Sequence, residues 1–222
     1  MFIGHFALGF AAKRSAPRVS LAVLFLAAQL ADVLWPVLVW LGLEQVRIDP
    51  GNTRFTPLDF ISYPYSHSLL FLVVWGAVFG AICAGVVRDH KVILIIAALV
   101  VSHWILDWIT HRPDMPLYPG SSRFGLGLWN SIPATIAVET TLFAGGIWMY
   151  SHITRALDRV RRRAFVAFVA FLFLIYVANI GTPPPSVGAV VTAGIAGTAV
   201  ILVWAWWFDR HRTLASTHTS TR

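Results

Sequence analysis

The stretch VILIIAALVVSHWILDWITHRPD, residues 92–114, joins a long apolar run to three ionisable side chains. His103, Asp107 and His111 follow one another at intervals of four residues. Each such interval turns an α-helix only about 40° beyond a full turn, so all three side chains are predicted on one helix face. Ionisable groups at membrane depth are costly and usually mark a working site. The stretch therefore predicts a membrane helix that carries a functional site.

The composition of the whole chain indicates a membrane protein. The chain is 57% hydrophobic and 12% charged, has a mean hydropathy of +0.70, and contains 10 Trp among 222 residues. These values lie far from those of a soluble domain. The net charge of +7 comes mostly from short basic clusters between apolar runs. This pattern indicates membrane topology, with membrane lipid and no nucleic acid as the partner.

Six apolar segments are long enough for membrane-spanning helices of about 20 residues. We therefore predict an all-α, polytopic membrane helix bundle that forms a single integral-membrane domain over residues 1–222. Its helices are expected at about 20–43, 67–87, 92–110, 131–153, 164–182 and 186–208. The first residues, MFIGHFALGFAA, are apolar but too short to cross, and predict an interfacial or re-entrant helix.

The distribution of Lys and Arg predicts the orientation of this bundle. Only Arg47, Arg54, Arg112 and Arg123 fall on one side of the six-helix arrangement, and the others, from Lys13 to Arg222, fall on the opposite side. The positive-inside rule therefore predicts a multi-pass protein with both termini in the cytoplasm. The third helix then runs outward, with Asp107 and His111 near the external surface and His103 about two turns deeper.

Few other polar side chains in the apolar segments can reach the same face. His67 lies at the external mouth of the second helix, and Asp32 lies in the first helix, one turn before a Pro36 that is expected to kink it. Glu139 lies two turns into the fourth helix, and His5 lies in the N-terminal segment. Imidazole and carboxylate groups together suit zinc, manganese or non-haem iron, whereas calcium and magnesium prefer oxygen ligands.

Spacing along the third helix leaves the number of ions open. A helical rise of about 12 Å separates His103 from His111, which is too far for both to bind one ion at ligand distances of about 2 Å. His111 would then serve a second metal, the substrate or the solvent. If two ions are present, Asp107 is the natural bridge, and the pair could clamp an in-line displacement at a phosphoryl centre. The alternatives are a helix-capping His111 and a hydrogen bond between His103 and Asp107 that only ties helices together.

The order of short motifs resembles that of the bacterial membrane-bound metal-dependent hydrolases, a family of YdjM-like inner-membrane proteins, over roughly residues 2–120. The motifs are Gly4-His5, Asp32, Ser66-His67-Ser68-Leu69, and Ser102-His103-x3-Asp107-x2-Thr110 followed by Pro116-Leu117-x-Pro119. The resemblance implies metal-site roles for His5, Asp32, His67, His103 and Asp107. The chain keeps a single acidic residue where the family has an acidic PDxDH box, and Ser66 replaces a family Thr.

The combined prediction is a membrane-embedded metal-dependent hydrolase in the bacterial inner membrane, with the metal site in residues 1–120 and helices 131–208 as a supporting bundle. It would bind one or two divalent transition metal ions, zinc first and manganese or iron as alternatives. His67, His103 and Asp107 would hold the ion, and Asp32 and His5 would complete or orient its shell. An activated water would attack a phosphoester or a lipid head group at the external face.

Three further residues complete the predicted site. Glu139 is the predicted general base, with Asp32 as a second catalytic carboxylate. Arg112 and Arg123, both on the external side, are predicted to hold an anionic head group. Two other classes of function stay open on these residues. One is a transporter that relays protons or passes a metal ion, and the other is a non-catalytic scaffold whose polar cluster fixes helix packing.

Overall fold

The computed structural model describes residues 1–214, so Arg222 lies outside the described part of the chain. The described residues form an α-helical bundle with three small two-stranded sheets, which confirms the predicted all-α class. The helices are α1 (Ile3–Ala12), α2 (Leu21–Ala28), α3 (Leu30–Trp40), α4 (Pro64–His67), α5 (Leu69–Val87), α6 (Lys91–Thr110), α7 (Ile132–Ile153), α8 (Arg159–Ala178) and α9 (Val187–Asp209).

Within residues 1–214, α5, α6, α7 and α9 are long and apolar enough to cross a membrane, and α2 with α3 forms a fifth candidate if the bent pair is one span. The sixth predicted span, 164–182, corresponds to α8, which is not among these candidates. Helix α8 begins at Arg159, and its first turns contain Arg161, Arg162 and Arg163. The arginines therefore leave too short an apolar stretch in this helix.

A sharp bend divides the first predicted span. Helices α2 and α3 meet at an angle of 60°, and the break falls at Gln29, whose φ of −106° and ψ of 10° leave the helical region. The prediction of a kink at Pro36 was therefore wrong, because the bend lies at Gln29 and Pro36 lies inside α3. The break leaves the Ala28 carbonyl oxygen open to a side chain, and it accepts a hydrogen bond from His103 Nδ1 at 2.8 Å.

Helix α1 is buried inside the bundle. Consecutive residues from Ile3 to Ala7 are all buried, which a helix lying on a surface would not show. Close packing against α7 depends on Gly146, where a Cβ atom would lie 2.7 Å from Ala7 Cα. Phe10 and Phe25 then join α1 and α2 to a core that also contains Phe168 and Phe208. This burial favours the re-entrant alternative for the N-terminal segment.

One end of the bundle is covered by a layer that we call the cap. It consists of the hairpin of β1 (Gln45–Ile48) and β2 (Leu58–Ser62), the hairpin of β3 (Met115–Pro116) and β4 (Arg123–Phe124), and the 3₁₀ turn Leu128–Asn130. The Phe55 amide donates to the Trp129 carbonyl at 3.0 Å, and the Gly127 amide donates to the His111 carbonyl at 2.7 Å. Gly127 has a φ of +74°, which favours glycine there. These bonds hold the cap against the ends of the helices.

The opposite end contains a buried ion pair that the sequence did not reveal. Lys13 Nζ lies 2.8 Å from Asp209 Oδ2, which also accepts from the Leu21 amide at 2.9 Å. Tyr150 donates to Asp209 Oδ1 at 2.7 Å. The strands β5 (Thr154–Ala156) and β6 (Arg212–Leu214) pair nearby. The contacts tie the end of α1 to α7 and α9.

Candidate metal centre

Five predicted metal ligands converge just beneath the cap. His103 and Asp107 lie one turn apart on the buried face of α6, as their spacing predicted. His67 is the last residue of the one-turn helix α4, which the extended backbone of Ser68 separates from α5, so His67 does not begin the second span as predicted. His5 and Asp32 lie near the starts of α1 and α3. Four separate elements thus supply one cluster.

Asp107 occupies the middle of this cluster. Its Oδ1 atom lies 3.0 Å from His5 Nε2, and its Oδ2 atom lies 3.0 Å from His103 Nε2 and 3.8 Å from His67 Nε2. Asp32 Oδ1 lies 3.5 Å from His67 Nε2 and 3.7 Å from His103 Nε2. The rings of His5 and His103 stack with their centroids 3.7 Å apart. The amino group of Met1 also contacts Asp107 Oδ1.

The Nδ1 atoms of His67 and His103 form hydrogen bonds outside the cluster, which identifies the Nε2 atoms as the ones available to a metal. His103 Nδ1 faces the Ala28 carbonyl, which can only accept, so Nδ1 carries a proton, and in the neutral imidazole Nε2 then presents a lone pair. His67 Nδ1 lies 2.7 Å from Ser66 Oγ, whose single proton is donated to Glu44 Oε2 at 2.6 Å. Ser66 must therefore accept from His67, and His67 Nε2 also presents a lone pair. Such outer contacts orient metal-binding histidines.

His111 joins the same cluster from beyond the end of the helix. Helix α6 ends at Thr110, and the extended backbone of His111 (φ −67°, ψ 150°) takes it off the helical path. Its Nε2 lies 3.9 Å from Asp107 Oδ2, and His103 Nε2 lies 3.0 Å from the same oxygen. Both imidazoles therefore reach one carboxylate oxygen, although a continuous helix would separate their residues by a rise of about 12 Å. His111 Nδ1 donates to Asp114 Oδ1 at 2.9 Å, which leaves its Nε2 with a lone pair.

In their neutral forms, the three imidazoles therefore direct three nitrogen lone pairs at one carboxylate oxygen. Acceptors that approach each other in this way repel unless a proton or a metal cation lies between them. His103 Nε2 is buried and has no hydrogen-bond partner among the described residues. The ligand atoms of His5, His103 and Asp107, and those of Asp32, His67 and His103, lie within 4.8 Å of one another in each set. This donor set fits a zinc, manganese or iron ion.

Both sets contain His103, so they cannot each bind a separate ion with this residue as a shared ligand. One imidazole nitrogen carries one lone pair and binds one ion. Because the Nδ1 atom of His103 is already hydrogen-bonded, only its Nε2 atom can serve as a ligand. The two sets are therefore halves of one group of five donors around the same small volume.

The comparison with known families includes all five of these residues. The model of the YdjM inner membrane protein family matches residues 1–183. The chain belongs to this YdjM family. The match extends past the resemblance at residues 2–120 and takes in α7 and α8. Searches of curated proteins and of solved structures find no match.

In this YdjM family member, Glu139 holds α1 in position. Its Oε2 atom accepts from the amides of Phe2 at 2.8 Å and Gly4 at 3.3 Å, which are free donors at the start of α1. Its Oε1 atom is buried and has no hydrogen-bond partner among the described residues. Glu139 thereby fixes the helix that carries His5. Its predicted role as general base stays a prediction.

The two arginines predicted to bind substrate lie at different places: Arg123 lies in the cap, and Arg112 lies between α6 and β3, directly after His111. Arg112 forms ion pairs with Asp59 and, at 3.4 Å, with Asp114. Arg123 donates to the Ile61 carbonyl at 2.8 Å and lines a cavity of about 300 Å³ together with Asp114. Arg123 is therefore the arginine that faces open space.

Charged and polar residues outside the spans support the cluster in ways that the sequence did not reveal. Tyr63 donates to Asp114 Oδ1 at 2.6 Å. Burial opposes the ionised form of Asp114, but hydrogen bonds from His111 and Tyr63 hold its pKa below the usual value. Burial, and then the Asp114 carboxylate, raise the pKa of Tyr63 well above its usual value. Glu44 also supports the cluster, because it accepts the hydrogen bond from Ser66 Oγ. No regular spacing in the sequence relates Glu44 to His67.

Proposed function

We propose that this YdjM family member is a membrane-embedded metal-dependent hydrolase that acts on a phosphoester. The convergence of three imidazole lone pairs on Asp107 Oδ2 carries the proposal, because a bound cation would turn this repulsion into coordination. When bound, a zinc ion, or manganese or iron in its place, supplies Lewis-acid chemistry that activates water near neutral pH and stabilises negative charge on a phosphoryl oxygen.

The side chains divide into a holding set and a proton-handling residue. His5, His67, His103 and Asp107 would hold a single ion, and Glu44, Ser66 and the Ala28 carbonyl would keep the imidazoles in the binding tautomer. Hydrolysis joins the oxygen of water to phosphorus, breaks the P–O bond to the alcohol and returns a proton to the leaving oxygen. Asp32 is placed to pass that proton, because its carboxylate is the accessible one, with 40% of the side chain exposed.

A phosphoester suits the metal centre, because a bound cation stabilises the negative charge that develops on phosphoryl oxygens. Arg123 presents a guanidinium group, which binds phosphate oxygens well, to the cavity at the cap, but none of the five candidate ligands lines that cavity, so the choice does not rest on this arginine. The family description, an inner membrane protein, agrees with a substrate found at or near a membrane.

A transporter would need polar groups at successive depths, and the described residues offer two separated clusters instead. Phe6, Phe10 and Phe25 form a buried aromatic layer along α1 and α2, between the metal centre and the Lys13–Asp209 pair. That pair is saturated by the hydrogen bonds described above. This separation favours hydrolysis over conduction.

Elemental analysis of the detergent-purified protein tests the proposal. We expect at least one equivalent of zinc, manganese or iron per chain, lost in the double variant His103→Ala with Asp107→Ala and kept in His152→Ala, whose side chain is exposed at the end of α7. Chelation should abolish hydrolysis of a panel of phosphomonoesters and phosphodiesters, and the metal should restore it. A wild-type protein without metal, or a double variant with unchanged metal, would overturn the proposal. Thermal destabilisation of a metal-free protein by the same variant would indicate the scaffold instead.

A further inference from the structure

We infer that substrate reaches the metal centre sideways, from within the membrane, through an opening beside Asp32, and that it is a phospholipid or another lipid-linked phosphoester. This inference rests on the proposed function and adds the class of substrate and its route.

The candidate ligands differ sharply in exposure. The side chains of His5, His67, His103 and Asp107 are at most 3% exposed, whereas that of Asp32 is 40% exposed. The cluster is therefore closed on every side except the one formed by the start of α3. A substrate that reaches the cluster without unfolding the bundle would pass Asp32.

The cap closes the direct route from the end of the bundle. The Trp129 ring lies with its centroid 4.2 Å from that of His111, and the Phe60 ring lies 5.0 Å from His111. The Tyr63 ring lies 5.1 Å from that of His67, and Met115 beside it is fully buried. Three aromatic side chains thus cover the two imidazoles nearest the cap.

The cavity in the cap does not reach the metal centre. It is lined by Tyr63, Asp114, Arg123 and neighbouring loop residues, and none of the five candidate ligands lines it. The hydrogen bond between Tyr63 and Asp114 lies at its inner wall. A water-soluble phosphoester held there would be separated from Asp107 by these side chains and by His111.

Apolar residues of α3 lie next to the opening beside Asp32. Asp32 is in the first turn of α3, eight residues before Trp40, which places it about 12 Å along the helix axis from the Trp40 end of that helix. Val33, the next residue, is apolar and partly exposed, as are Leu30 and Leu34 elsewhere on the same helix. If the opening faced water, these leucine and valine side chains would be exposed to it at a cost of about 25 cal/mol per Å² of apolar surface. Contact with lipid avoids this cost.

A lipid fits both the rim and the ligands. Its phosphate group could enter past Asp32 toward the imidazoles, while its acyl chains stay against the apolar rim and the surrounding bilayer.

Photo-crosslinking tests the route without depending on turnover. Zinc-loaded protein in phosphatidylcholine and phosphatidylglycerol vesicles would be irradiated with phospholipids that carry a diazirine on an acyl carbon near the glycerol, and labelled peptides would be mapped by mass spectrometry. We expect label at residues 30–34 and, as a positive control, at Val203, which is exposed on α9. Excess short-chain phospholipid should reduce the label at 30–34 by at least fivefold and leave Val203 unchanged, and glycerol phosphate should reduce neither.

A variant at the rim gives the second readout. Val33→Trp should narrow the opening and lower both the label at 30–34 and the turnover of vesicle phospholipid at least tenfold, with the zinc content unchanged. Val203→Trp is the matched control and should alter neither. Labelling of Val203 without residues 30–34, or equal kcat/KM for a lipid and a soluble glycerophosphodiester, would overturn the lateral route while zinc content upholds the metal centre. A protein without zinc would instead overturn the proposed function.

Discussion

Replacing Gly146 by alanine is expected to weaken metal binding by about 10- to 100-fold, through the displacement of one ligand. A Cβ atom at residue 146 would lie 2.7 Å from Ala7 Cα and would also collide with the Ala7 carbonyl oxygen. Because carbon atoms pack at about 3.5–4.0 Å, α1 would have to move by about 1 Å. His5 lies two residues before Ala7 on the same helix and would move with it, whereas metal–ligand distances tolerate shifts of only about 0.2 Å.

Gly145 provides the matched control for this prediction. A Cβ atom there meets nothing within 4 Å, and alanine favours a helix over glycine by up to about 1 kcal/mol. Gly145→Ala should therefore keep its metal affinity and melt at an equal or higher temperature, whereas Gly146→Ala should melt lower. Zinc affinity would be measured by competition with a chromogenic chelator, and melting by intrinsic Trp fluorescence in detergent. Equal affinities and equal melting temperatures in the two variants would refute the close packing of α1 on α7 as the support of His5.

Three further outcomes are expected. Glu44→Gln removes the acceptor of the Ser66 hydroxyl and should lower zinc affinity about 10- to 100-fold, whereas Ser66→Thr, which keeps a hydroxyl, should stay within about twofold of wild type in the same chelator titration. Lys13→Ala leaves a buried carboxylate unpaired and should lower the free energy of unfolding by about 3 kcal/mol, against about 0.5 kcal/mol or less for the exposed Arg14→Ala. Because the folded pKa of Asp114 is depressed below 3.8, its stabilising contribution is present above that pH and is lost as pH falls through the folded value. Melting curves from about pH 2 to 5 should therefore show less acid destabilisation in Asp114→Asn, and an unchanged slope would contradict that hydrogen-bond pattern.

The helical class and the central pair of the cluster were accessible from the sequence for a simple physical reason. Hydrophobicity over about 20 residues predicts a membrane helix, and an interval of four residues on a helix puts two side chains on one face. His103 and Asp107 satisfy both conditions and lie one turn apart on α6 as expected. His5, Asp32 and His67 were candidates because they are among the few polar side chains in the apolar segments, and the motif resemblance implied their metal-site roles. No periodicity relates them, since they lie on different elements.

The features that sequence reasoning missed depend on where regular structure stops. His111 was expected on a continuing helix, but α6 ends one residue earlier. The bend in the first span falls at Gln29, which carries no local signal as strong as that of Pro36. Glu44 and Asp114 act through contacts with residues on other elements, so no local pattern relates them to the imidazoles that they orient. The sixth span was predicted to begin at residue 164, after a group of arginines, but helix α8 begins at Arg159 and includes them.

The bond between Glu139 and the start of α1 has a consequence for biogenesis. The segment that supplies His5 is synthesised before α7, so its two free amides find their acceptor only after α7 has been made. During translation of the intervening residues, α1 must wait at the membrane surface or at the insertion machinery, because it is too short to span alone. In a nascent chain that stops before residue 139, the helix that carries His5 would lack the carboxylate that fixes its start. Assembly of the metal centre is therefore coupled to synthesis of the second half of the polypeptide.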